Sequence, residues 1–78
     1  RKDKICLNEL LYDAVKLFSP IAENKKLRIS TSFPNSNIYF YGDKPRIQRL
    51  TANIIDNAVK YTPEGGLVSV SLKQLENH

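Results

Sequence analysis

Asn53, Asn57 and Lys60 stand four and three residues apart, a spacing that on a helix brings the three side chains onto one flank. At about 100° per residue, Arg46 and Arg49 fall on the same line, so a polar strip runs from Arg46 to Lys60. Asparagine is a poor helix former, because its side chain competes for backbone hydrogen bonds. Two asparagines in one helix, with Asn57 at the border of the apolar face, lose stability that some other gain must offset. One such gain is a ligand. Amide oxygens suit a hard cation such as Mg²⁺, which keeps most of its waters and is held by one or two protein oxygens together with substrate phosphates. The Lys60 ammonium would then face those phosphates as a point charge. The other reading is structural: the asparagines satisfy backbone groups of a neighbouring loop or are solvated, and Lys60 carries its charge out to water. Spacing alone leaves both open.

The strip must be positioned by a scaffold, and the flanking sequence predicts one. Apolar residues Ile47, Leu50, Ile54, Ile55, Ala58 and Val59 recur with helical period, predicting a helix from Lys44 to about Tyr61. Asp43 is placed to cap it, with Pro45 tolerated in the first turn. Thr62 to Gly66 reads as a turn, followed by a strand from Leu67 to Leu72, alternating through Val68 and Val70. Upstream, Lys4 to Leu7 predicts a short strand. Asn8 then offers an N-cap to a helix ending near Asn24, bent at Pro20. Leu27 to Phe33 alternates as a strand and Ile38 to Tyr41 as another. With Pro34 to Asn37 between them, they predict a hairpin. The order strand, helix, strand, strand, helix, strand implies an α+β fold, a two-layer sandwich with both helices on one face of a mixed β-sheet.

Composition narrows the class. The chain has 78 residues, 41% apolar and 26% charged, with a net charge of +4. That is the balance of a globular domain, small enough to be marginally stable alone. A single Cys6 cannot form an internal disulfide, and one histidine, His78, excludes paired zinc ligands and fits a reducing setting. No apolar run approaches the roughly 18 to 20 residues of a membrane span. The basic residues are scattered along the chain, as on an ordinary solvated surface.

The string Asn53-Ile-Ile-Asp-Asn57-Ala-Val-Lys60-Tyr61-Thr-Pro, followed by Glu64, Gly65 and Gly66, closely resembles the N box of two-component sensor histidine kinases, N-x-x-x-N-A-x-K-[YF]-[ST]. Gly42-Asp43 with Arg46 to Leu50 resembles the run that precedes that box, and Leu7 to Leu11 the lead-in to the domain, so the likeness spans nearly the whole chain. The resemblance implies residues 1–78 as the N-terminal portion of one histidine-kinase-type ATP-binding domain. It also implies that Asn57 ligates Mg²⁺, that Asn53 and Lys60 contact the ATP phosphates, and that Tyr61 lies against the base or ribose. Tyr61 has an equal alternative as a core aromatic. Asp56 is expected on the far side of the helix, in solvent, and Asp43 as a cap.

The family's further boxes, a D-x-G-x-G motif for adenine and a glycine-rich lid, do not occur among these residues, and His78 matches no phosphoacceptor motif. The resemblance therefore implies no catalytic residue in this chain, which alone should be inactive and bind ATP weakly. It implies ATP, a histidine-bearing dimerisation domain and a response regulator as partners of the parent protein, in a cytoplasmic domain of a membrane-attached kinase. An unpaired sheet edge beside Leu67 to Leu72 would favour a homodimer, visible by light scattering. The alternative is a non-catalytic interaction module on a degenerate kinase fold. A nucleic-acid binder is disfavoured, because the asparagines lie among the basic residues and no aromatic platform accompanies them.

Overall fold

The computed structural model describes residues 2–73. Its elements are β1 (Asp3–Cys6), α1 (Leu7–Asn24), β2 (Arg28–Ser32), β3 (Tyr39–Gly42), α2 (Lys44–Tyr61) and β4 (Leu67–Ser71). The α+β order is as expected, and no helix among the described residues is long and apolar enough to cross a membrane. His78 and the rest of the polar terminus from 74 onward lie outside the described residues.

The strand pairing differs from the expectation. In place of one mixed sheet there are two two-stranded ladders: β1 with β3, antiparallel, and β2 with β4, parallel. The expected hairpin between β2 and β3 does not form. Its connection, residues 33–38, contains no glycine to supply the positive φ of a tight two-residue turn. The loop is instead tied to α1. Asn8 Nδ2 donates to the carbonyls of Pro34 (3.3 Å) and Ser36 (3.2 Å), and Asn8 Oδ1 accepts from Ile38 N–H at 2.9 Å. Leu7 N–H adds a bond to Ile38 C=O at 2.8 Å. Asn8 is therefore no N-cap. Cys6 occupies that position without a side-chain bond, and Asn8 uses its amide to hand the chain from β2 over to β1. β4 has no second strand partner among the described residues.

Parallel pairing of β2 with β4 needs a long crossover, and β3 with α2 supplies it. In register Arg28 lies opposite Leu67 and Ser32 opposite Ser71. Each of these strands is preceded by a helix, so the C-termini of α1 and α2 arrive at the same end of the molecule. Between the helices and this ladder sits the core: Val15, Phe18 and Ala22 of α1, Ile55 and Val59 of α2, with Leu27 and Val68. Pro20 does not end α1, which runs on to Asn24.

α1 closes in a Schellman turn. Leu27 N–H reaches Ala22 C=O at 2.8 Å and Lys26 N–H reaches Glu23 C=O at 2.9 Å, while Ala22 and Leu27 are both buried in the core. The turn needs a left-handed residue, and that residue is Lys26, with φ of 62°. A side chain there is strained by roughly 1 to 2 kcal/mol. Its ion pair with Glu64, at 3.6 Å between side chains 77% and 68% exposed, returns little. Lys26→Gly is expected to stabilise the fold by about 0.5 to 1 kcal/mol, after the extra flexibility of glycine in the unfolded chain is discounted. The midpoint of urea unfolding measures this; a fall would show that the Lys26 side chain outweighs the strain.

Candidate functional site

α2 begins at the Asp43 cap, whose carboxylate accepts from Arg46 N–H at 3.4 Å, with Pro45 in the first turn, as the sequence implies. The apolar stripe is narrower than its periodicity suggests. Only Ile55 and Val59 are buried, whereas Leu50 and Ile54 are 56% and 60% exposed. The buried direction of the helix therefore lies about 200° from Asn53, taking about 100° per residue. Asn53, Asn57 and Lys60 do not line the border of the core: they stand on the outward face and are exposed. The side-chain amides of the two asparagines make no hydrogen bond among the described residues. Among the described residues no loop reaches them, so of the two structural readings the neighbouring loop falls away and solvated asparagines stand beside the ligand reading.

Tyr61 belongs to this face as well. It is 79% exposed, which removes the core-aromatic alternative. The outward face of α2 is consequently amphipathic: the polar line Arg46, Arg49, Asn53, Asn57, Lys60 is bordered by exposed Leu50, Ile54 and Tyr61. Sequence periodicity assigned Leu50 and Ile54 to the core, since nothing in it separates a residue covering the sheet from one that points past it. Asp56 is not on the far side of the helix in solvent. It is half-buried on the side of Lys60, whose ammonium lies 3.9 Å from its carboxylate. With both side chains half exposed or more, this i,i+4 pair contributes at most about 0.5 kcal/mol. A polyanionic ligand could therefore draw Lys60 away from Asp56 at small cost.

The C-terminal turn of α2 is held from two directions. Thr62 N–H and Oγ1 both donate to Ala58 C=O, at 3.1 and 2.6 Å. From α1, the Lys25 ammonium donates to the carbonyls of Val59 (2.8 Å) and Lys60 (2.7 Å). Beyond it, Gly65, at φ of 87°, donates its N–H to Lys26 C=O at 3.0 Å and so docks the turn after α2 onto the turn after α1. Beside the outward face, a groove of about 300 Å³ opens between α2 and β4, lined by Thr51, Ile54, Ala58, Val68 and Val70 among others. A larger cleft of about 500 Å³, lined by Lys4, Glu9, Asp13 and Tyr39 among others, contains none of Asn53, Asn57, Lys60 and Tyr61.

Chemically, the exposed face offers two unpaired amides and an ammonium in one line, with an aromatic ring one residue beyond. Among the described residues no group of three or more His, Cys, Asp or Glu could hold a metal ion. The donors on this face of α2 are neutral amide oxygens, a type that suits a hard cation.

No protein-family model matches the chain. It is 32% identical over 71 residues to the sensor histidine kinase RppB of Synechocystis, which covers 91% of the chain and 16% of RppB. Its fold superposes on the cytoplasmic segment of histidine kinase QseC with a TM-score of 0.86 at 30% identity, over 92% of the chain and 48% of that segment. It superposes equally, at 0.86 and 22% identity, on histidine kinase ThkA in complex with the response regulator TrrA, over 95% of the chain and 22% of ThkA. The chain thus spans about half of the QseC segment and about a sixth of RppB.

Proposed function

Because this chain belongs to the sensor histidine kinases, as part of their catalytic ATPase domain, we propose that it forms the magnesium and phosphate side of the nucleotide site in its parent protein. The observation that carries this reading is the exposed line of Asn53, Asn57 and Lys60 on the face of α2 opposite the core. Asn57 offers its amide oxygen to Mg²⁺. Asn53 donates from its amide, and Lys60 from its ammonium, to phosphate oxygens. Tyr61, exposed one residue on, lies against the base or ribose. Leu50 and Ile54 keep the rim of the site apolar, where charge interactions strengthen as water leaves.

Phosphoryl transfer depends on holding the donor phosphate in line with its acceptor and neutralising charge as it moves. The Mg²⁺ ion, when bound, supplies most of that neutralisation, and the part of this chain is to orient the phosphates. In the parent protein the γ-phosphoryl group passes from ATP to a histidine of a dimerisation domain, leaving ADP. An aspartate of a response regulator then receives it. The structure of ThkA with a response regulator supports that partnership, and the likeness to the cytoplasmic segment of QseC supports a cytoplasmic place for the domain in a membrane-attached parent.

The test is phosphate labelling. The parent protein incubated with γ-labelled ATP and Mg²⁺ should acquire acid-labile, base-stable label that moves to a response regulator. The 78-residue chain assayed alongside should acquire none, since it carries neither an adenine-reading motif nor a phosphoacceptor. A parent protein that takes up no label would favour the interaction-module alternative.

A further inference from the structure

We propose that Lys25 is a positioning residue for the nucleotide site, fixing the last turn of α2 so that Lys60 and Tyr61 project toward the ligand. This rests on the reading of α2 as the phosphate side of that site.

The last four carbonyls of a helix have no partner within it, and the aligned peptide dipoles leave partial negative charge there. A basic residue in the last turn commonly answers both needs. α2 has one, Lys60, but its ammonium is on the outward face beside Asp56. The cation that serves the carbonyls is Lys25, whose Nζ bonds those of Val59 and Lys60 at 2.8 and 2.7 Å. Lys25 thus takes over a task that would otherwise turn Lys60 back onto its own helix, and leaves Lys60 held only by its weak pair with Asp56 and available to the ligand. Its acceptors are well chosen: Val59 is anchored in the core, and Lys60 is the ligand-facing residue itself. Lys25 is in turn held at its own end. It is the C-cap of α1, its N–H bonds Ile21 and Ala22 carbonyls at 3.1 Å, and the next residue is pinned from the far side by Gly65. One side chain thus ties the two helix ends together, alongside the Gly65 N–H bond between the turns that follow them.

The experiment compares Mg-ATP affinity by calorimetry, well below the unfolding temperature, in the full parent protein and its K25M, K25R, N8A and N57A variants. K25M keeps the aliphatic stem and removes both bonds. It should weaken binding about tenfold, as expected when a contacting group is displaced without being lost. K25R, which restores a cationic donor, should return affinity to within about twofold of wild type. N8A breaks the latch at the other end of α1 and serves as a destabilised variant remote from α2; it should bind as wild type does. Should K25M not fold, K25Q, with a neutral donor, takes its place and should lose affinity in the same direction. Wild-type affinity in K25M overturns the proposal, and so does an equal loss in N8A, which would mean that Lys25 acts through stability alone. A wild-type protein that fails to bind Mg-ATP, or an N57A variant that binds it normally, overturns the nucleotide-site reading and this proposal with it.

Discussion

Replacing Asn57 with alanine is expected to reduce autophosphorylation of the parent protein by about a hundredfold or more while leaving the fold intact. On the proposed metal role, the variant removes the amide oxygen that Asn57 would offer to Mg²⁺, and a lost metal contact or a lost charge-stabilising group typically costs two to three orders of magnitude, roughly. The stability expectation runs the other way. Asn57 is exposed and its side chain has no hydrogen bond among the described residues, so nothing in the fold leans on it. Alanine is the better helix former by roughly 0.5 kcal/mol, so the unfolding midpoint should hold or rise slightly. Labelling with γ-phosphate and a thermal melt of the same preparation measure both. Normal labelling would refute the metal role, and a collapse of the midpoint would show that Asn57 belongs to the scaffold after all.

Two residues earlier on the same helix the expectation reverses. Ile55→Ala should destabilise the fold by about 2 to 5 kcal/mol, the usual range for emptying a buried isoleucine site. Ile55 is 3% exposed and belongs to the cluster that includes Val15, Phe18, Val59 and Val68. A chain of this size has a total stability of only about 4 to 12 kcal/mol, so the loss would remove a large part of that stability. Urea unfolding of the 78-residue chain is the measurement. A change under about 1 kcal/mol would mean that the cluster collapses around the missing atoms, or that α2 is anchored elsewhere. Ile55 and Asn57 are about 200° apart around α2. The pair of variants therefore separates the face that builds the molecule from the face proposed to bind.

The boundaries of α2, its Asp43 cap and the turn ending at Gly66 were legible in the sequence, because each is set by residues within a turn or two of one another. The same holds for the strands as segments. The N-box string also pointed to the kinase family directly, since those residue types at that spacing carry the resemblance without help from the fold. What pairs with what was not legible. β2 could have turned back on β3, and both would have satisfied period-two alternation equally. The outcome depends on Asn8 holding the intervening loop from 26 to 30 residues away.

Two further matters were decided only by tertiary structure. Periodicity locates an apolar stripe but not its middle, so Asn53 and Asn57 read as border residues until the packing of Ile55 and Val59 turned them fully outward. Lys25 carries no signal of its own: a lysine at a helix end is common, and its acceptors lie 34 and 35 residues further along the chain. Local rules are short-ranged because they act through bonds and contacts between residues three or four apart. Strand partners, the outward direction of a helix and a side chain bridging two helix ends are settled by which distant surfaces bury one another, and that is a property of the assembled chain.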